Sequence, residues 1–207
     1  GCASSASSTA ASASSTAAPA EKKEFTFADT VRWDAQYDVV VMGMGAAGMV
    51  AAKTAADNGA KVVIVEKCEE GKAGGNTKVC GQLFAYANGD KDAAKSYYTA
   101  LAGGRDIEPE IIDAISEGVA NMADILADEF GFNKDEYMDW TGVNVGGTNM
   151  GAMSPEYPEM PGHEKMALWT THAGASDGYL YQGLMQNVTD RVDAIDVWYS
   201  PPAKSLI

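Results

Sequence analysis

The stretch YDVVVMGMGAAGMVAAKTAADNGAKVVIVE, residues 37–66, decides the fold of this chain. Tyr37, Val39, Val40, Val41 and Met42 form a short β-branched apolar run of strand length, too brief for a buried helix. Gly43, Gly45 and Gly48 come next, at the spacing of a nucleotide-binding turn. Gly43 permits the tight exit from the strand, Gly45 lets the backbone approach a pyrophosphate, and Gly48 lets the next helix pack close to the sheet. Ala51, Ala52, Ala55 and Ala56 thin the sheet-facing side of that helix, and Asn58-Gly59 stops it. Val62 to Val65 read as a second strand buried on both faces, as parallel strands are.

Glu66 ends that strand, 18 residues beyond Gly48. An acid about 20 residues on accepts the ribose hydroxyls of a dinucleotide. Its charge repels a 2′-phosphate, which argues against a phosphorylated nicotinamide. The preceding helix N-terminus offers free N–H groups and about half a positive charge to phosphates. Strand, glycines, helix, strand and acid in this order predict adenine-dinucleotide binding.

The loop after Glu66 distinguishes the dinucleotides. Residues 68–82 read CEEGKAGGNTKVCGQ, a glycine-rich loop where a nicotinamide-binding unit would begin another helix. The combination of GMGAAG, Ala52, Gly59, Val62 and Glu66, then Glu66-Lys67 and GGNT, resembles the FAD-dependent fumarate reductase and succinate dehydrogenase flavoprotein superfamily. More narrowly, it resembles the soluble or exported branch that includes flavocytochrome fumarate reductases, urocanate reductases and 3-ketosteroid dehydrogenases. The resemblance covers residues 36–207. It implies that Gly43, Gly45, Ala46, Ala47 and Gly48 hold the FAD pyrophosphate, and that Glu66 holds the adenosine ribose with Lys67 beside it. Gly75, Asn76 and Thr77 would line the path to the ribityl chain, and Cys80, Gly81 and Gln82 would lie near the isoalloxazine. The fumarate reductase branch has a Gly-Gly pair about where Gln82 and Leu83 stand, so the substrate stays open.

The 207 residues suffice for one domain with a sizeable core. A net charge of −14 argues against nucleic acid, whose phosphates need basic patches. Residues 1–35 divide into an Ala/Ser/Thr-rich tether and a surface arm in which Phe25, Phe27 and Trp33 are expected to pin the chain, with a short β-arm as the alternative. Gly1-Cys2 before that tether looks like the processed end of an exported bacterial lipoprotein, with Cys2 as membrane anchor; a cloning scar is the alternative. Cys68 and Cys80 have no partner at zinc spacing, so no metal site is predicted. They read as buried free thiols, with a loop disulfide as the alternative.

Beyond the loop, Asp90 begins a helix with Ala94, Tyr97, Tyr98 and Leu101 on one face and Gly103-Gly104 as stop. Pro109 opens the next, with Ile111, Ile112 and Ile115 as core, an interruption at Gly118, and a continuation from Val119 to Phe130. Residues 131–176 are too rich in Gly, Pro and Asn for long elements. Met150, Met153, Met160 and Met166 there are unevenly spaced and read as gap-fillers rather than copper ligands. His163 and His172 have no carboxylate at a telling spacing. Asp177 caps a helix through Val188, Ile195 to Tyr199 read as a strand, and residues 201–207 begin another. By the resemblance, the 195–199 strand lies beside the one ending at Glu66, and the Ala203 backbone meets the adenine.

The expected fold class is therefore α/β: a Rossmann-like FAD-binding domain over 36–207, its parallel sheet flanked by helices. Residues 105–176 form a helical and irregular connection towards a cap domain. Members of the family are longer, and their second flavin contact, cap and proton-delivering Arg and His come later. The chain is expected to be the N-terminal part of such a protein. The resemblance implies hydride transfer between FAD and an activated carbon–carbon double bond, in an unsaturated acid or enone acceptor, with a redox protein as electron donor. A nicotinamide-dependent dehydrogenase and a non-catalytic nucleotide-binding lipoprotein are the alternatives.

Overall fold

The computed structural model describes residues 25–145, 148–149, 157–174 and 176–205. The described residues divide into two units, residues 25–34 and Ala35–Ser205. In the first, Phe27–Thr30 form a 3₁₀ turn whose Asp29 carboxylate accepts the Thr26 amide at 2.7 Å. Phe25, Phe27 and Trp33, expected to pin this arm, are exposed instead. The tether and Cys2 lie outside the described residues, as do Met150 and Met153.

The second unit is built on a three-stranded parallel sheet. β1 (Val39–Met42), β2 (Val62–Glu66) and β8 (Ile195–Tyr199) lie in the order β1-β2-β8. In register, Val41 pairs with Ile64 and Ile64 with Val197. Odd-numbered positions of β1 and even ones of β2 face α1 (Ala46–Asp57) and α5 (Tyr179–Thr189), where Val41, Val62, Ile64 and Ile195 bury against Met49, Ala52, Tyr181, Leu184 and Val188. Each large apolar side chain buried in this way contributes about 1.5–3 kcal/mol. On the opposite face Val40, Met42 and Trp198 are exposed.

α1 ends at Asn58, whose side-chain amide donates to the Thr54 carbonyl at 2.8 Å, and Gly59 comes next at φ +86°. Lys53 is buried within α1. Its stem packs in the interior while its ammonium reaches Asp57 at 2.8 Å and lies 5.0 Å from the Phe130 ring centre. Arg191, after α5, donates to both Asp57 oxygens, at 2.5 and 3.1 Å. One carboxylate thus ties the end of α1 to the end of α5.

α3 (Lys91–Leu101) is capped by Asp90, which accepts the Ala93 amide at 2.9 Å. α4 (Pro109–Phe130) is continuous for 22 residues, with Gly131 as left-handed C-cap. The expected break at Gly118 is absent, because one glycine in a helix interior costs about 1 kcal/mol and the buried stripe of the helix outweighs it. That stripe is Ile112, Ser116, Ala120, Ala123 and Leu126. Ile111 and Ile115, expected as core, are exposed, since the small residues on the Ile112 stripe let α4 approach its neighbours and turn the other two isoleucines outward.

A second sheet, antiparallel, is formed by β3 (Phe84–Tyr86), β7 (Ala167–Thr170) and β4 (Met138–Asp139), in the order β3-β7-β4. α4 covers it, with Ala123 and Leu126 of the helix and Phe132 just beyond it buried in one cluster with Phe84 of β3. A two-residue pair, β5 (Asn144–Val145) and β6 (Thr148–Asn149), stands beside it in sequence. The region expected to be irregular thus contains strands, two to four residues each, too short for an alternating pattern to show. The helix expected from Asp177 begins one residue later than a cap at that position would place it, with Gly178 as N-cap. Residues 201–205 carry no regular structure.

Candidate functional site

β1 leaves the sheet at Gly43, whose amide donates to the Val65 carbonyl at 2.9 Å and whose φ of +93° excludes most side chains. Gly48 is required by packing: a Cβ there would stand 2.1 Å from the Gly43 carbonyl oxygen. Gly45 is different. It has ordinary extended dihedrals, and a Cβ would meet nothing nearer than the Thr77 hydroxyl at 3.8 Å. No described protein atom demands a glycine at 45, so the space beside it is open to a ligand. The first turn of α1, Ala46, Ala47 and Gly48, has no intrahelical carbonyls for its amides. One of these, the Ala46 amide, donates to Thr77 Oγ1 at 3.0 Å, which ties the second glycine loop to the first.

Glu66 is 6% exposed at the end of β2. It forms no ion pair among the described residues. One oxygen accepts the Met44 amide and the other the Cys68 amide, both at 2.8 Å. Burial opposes the charge, but the Cys68 and Met44 amides, the Cys68 thiol and nearby Lys67 outweigh it and hold the carboxyl below the ordinary glutamate value. A carboxylate fixed by two amides keeps lone pairs for two vicinal hydroxyls. Glu66, Lys67, Met42, Gly43, Val65, Pro202 and Ala203 line a recess of about 290 Å³. The chemistry of this recess suits an adenosine: a carboxylate for the ribose, apolar walls for the base, and open amides next door for phosphates. A larger groove, of about 850 Å³ between Asp57, Asp128, Gln186 and Arg191, lies elsewhere and touches none of these groups.

The second glycine loop folds as a short helix, α2 (Gly75–Val79), entered through Gly74 at φ +115°. Gly75 and Asn76 are exposed and Thr77 half-buried. Cys80 is exposed rather than buried, and both Cys68 and Cys80 are free thiols. Gln82 is 1% exposed at φ +65°. Its amide donates to the Thr77 and Cys80 carbonyls at 2.8 and 3.1 Å and accepts from the Tyr181 amide at 3.3 Å. The Gln82 side chain therefore shapes the loop from inside, while Gly81 and Cys80 remain at its surface.

Sequence reasoning missed one group. His172 does have a carboxylate partner: its Nε2 lies 2.7 Å from Asp177 Oδ2. The five-residue separation matches no helix or strand period, so it carries no signal until the turn after β7 closes. No group of three or more His, Cys, Asp or Glu able to hold a metal occurs among the described residues. No described helix is long and apolar enough to cross a membrane.

Comparison with known proteins places the chain in a family. The FAD binding domain family model matches residues 38–207. The NADH:fumarate oxidoreductase of Klebsiella pneumoniae is 31% identical over 78% of this chain, which spans 16% of that protein. A 3-oxosteroid 1-dehydrogenase of Mycobacterium tuberculosis is 40% identical over 38% of this chain and 15% of its own length. In fold, the chain is similar to 3-ketosteroid delta1-dehydrogenase from Sterolibacterium denitrificans, with TM-score 0.61, 18% identity, and coverage of 83% of this chain and 41% of that one. The chain thus spans less than a fifth of the length of these curated relatives. With its paired glycine loops, its amide-held carboxylate and a family match over nearly all of the second unit, the chain belongs to the FAD binding domain family, and its cofactor is FAD.

Proposed function

We propose that this chain is the nucleotide-holding part of an FAD-dependent oxidoreductase whose acceptor is an activated carbon–carbon double bond, in an unsaturated acid or an enone. The observation that carries the nucleotide-holding part of the reading is that Gly43, Glu66 and Ala203 line one recess at the end of the parallel sheet. Gly43, Gly45, Ala46, Ala47 and Gly48 would hold the pyrophosphate, Gly43 and Ala46 by shaping the turn, since their amides donate to Val65 and Thr77, and Gly45, Ala47 and Gly48 through backbone amides, aided by the positive end of α1. Glu66 would accept the ribose hydroxyls, with Lys67 at the rim, and Ala203 would meet the adenine. Gly75, Asn76 and Thr77 would continue the path from the pyrophosphate, and Cys80, Gly81 and the backbone of Gln82 would flank the ring, the Gln82 side chain being turned into the loop. FAD, when bound, supplies hydride chemistry at its N5. The protein supplies orientation, exclusion of water and the fixed charges around the ring.

The acceptor class is supported by relatives named for fumarate and for a 3-oxosteroid. A small redox protein or nicotinamide would supply the electrons. The test is to load the full protein with FAD, reduce it with a viologen dye, and add fumarate, urocanate and an enone steroid separately. Dye oxidation by one of these acceptors is the expected result. A yellow protein that turns over none of them would overturn the acceptor assignment, and a colourless one would overturn the cofactor site.

A further inference from the structure

We propose that His172 and Asp177 form a clasp that positions the flavin-facing segment Cys80–Gln82, a role that rests on the FAD reading of that loop. Asp177 Oδ2 accepts from His172 Nε2 at 2.7 Å, so the carboxylate fixes which ring nitrogen carries the hydrogen. The other Asp177 oxygen accepts the Tyr179 amide at 3.1 Å, at the start of α5. The imidazole stacks on the Tyr179 ring, centres 4.0 Å apart and planes 11° from parallel, and the Tyr179 hydroxyl donates to Glu136 at 3.2 Å. The backbone closes tightly over the pair: a Cβ on Gly174 would lie 2.4 Å from Asp177 Oδ2 and 2.7 Å from His172 Nε2.

From this corner two hydrogen bonds reach the flavin-facing loop. The Ser176 amide donates to the Gly81 carbonyl at 3.3 Å, and the Tyr181 amide to Gln82 Oε1 at 3.3 Å. Both ends of this junction are strained. Gln82 and Ser176 hold φ of +65° and +61° without being glycine. The buried side-chain atoms without a partner among the described residues, Trp169 Nε1, Thr171 Oγ1 and His172 Nδ1, all fall on the four residues leading into the same turn. Strain and unmet polar atoms gather where a position serves a task other than stability. Here that task is to hold the loop at a fixed height against α5.

Hydrogen exchange read by mass spectrometry on the whole chain tests the clasp without needing cofactor. His172→Phe keeps the stack on Tyr179 and removes the donor, whereas His172→Gln keeps a donor. The Phe variant is expected to speed exchange across residues 77–84 and at the Ser176 and Tyr181 amides by about tenfold, with α3 and α4 unchanged. Gln is expected to restore most of the protection. Asp177→Asn, nearly isosteric, should loosen the same segment and serves if the Phe variant misfolds. Unchanged exchange at 77–84, a uniform rise over all helices, or a Gln variant no better than Phe would overturn the clasp. Quenching of FAD fluorescence is the second arm, with affinity expected to fall about tenfold in the Phe variant. Absence of quenching by the wild type would count against the FAD reading, while the exchange pattern still decides the clasp.

Discussion

Gly45 and Gly48 sit three residues apart in one turn and are glycines for different reasons. The first leaves room for something outside the protein, and the second for the protein's own carbonyl. Gly45→Ser should therefore fold as stably as wild type, because serine is a good N-cap, yet lose FAD affinity at least about tenfold. Gly48→Ala should instead lower unfolding stability by about 1–3 kcal/mol, because backbone must move. Denaturant titrations alongside FAD fluorescence quenching separate the two. Glu66→Gln presents an amide N–H to one of the two backbone donors, Met44 or Cys68. FAD affinity should fall about 10- to 100-fold, the range for a hydrogen bond to a charged group. An unchanged affinity by the same titration would remove Glu66 from the ribose site.

At the scale of elements, α1 and α5 are joined by a carboxylate between two cations. The hydrogen bonds from Arg191, then Lys53, hold Asp57 down at about 2. A folded-state value below that of the unfolded chain stabilises the fold above about pH 4, and the contribution is lost as pH falls towards about 2. Asp57→Asn should flatten the acid side of the stability–pH curve in that window, measured by urea unfolding at fixed pH. α4 offers the opposite lever. Nothing lies within 4 Å of a Cβ built on Gly118, so Gly118→Ala should raise stability by about 1 kcal/mol. For a chain of this size that is a rise of about 2–4 °C in Tm. The phase of α4 also shows why a hydrophobic run does not name its buried face. Ile111, Ile112 and Ile115 looked equivalent in the sequence, and the small Ser116, Ala120 and Ala123 settled which stripe could come close to the sheet.

For the second unit as a whole, the parallel sheet is covered on one face by α1 and α5 and exposes Val40, Met42 and Trp198 on the other. Parallel strands are ordinarily covered on both faces, and exposed apolar sheet surface promotes association. Val40→Thr keeps strand propensity and replaces a methyl group on this face with a hydroxyl. It should reduce self-association in light scattering at raised concentration while leaving the far-UV spectrum unchanged.

Residues 37–66 by themselves determined the nucleotide half. The apolar run, glycine spacing, alanine-thinned helix and terminal acid interact over short sequence distances, where local sterics and hydrogen bonding leave few alternatives. The start of α3 at Asp90 and the end of α4 at Gly131 were legible for the same reason, since caps are local. Tertiary structure alone decided the antiparallel sheet, whose strands pair residues 84–86 with 167–169, and the meeting of His172 with Asp177 beside the Gln82 loop. It also decided that the Gln82 side chain turns inward. Those contacts depend on which surfaces pack after distant segments meet, and no periodicity in the chain encodes that.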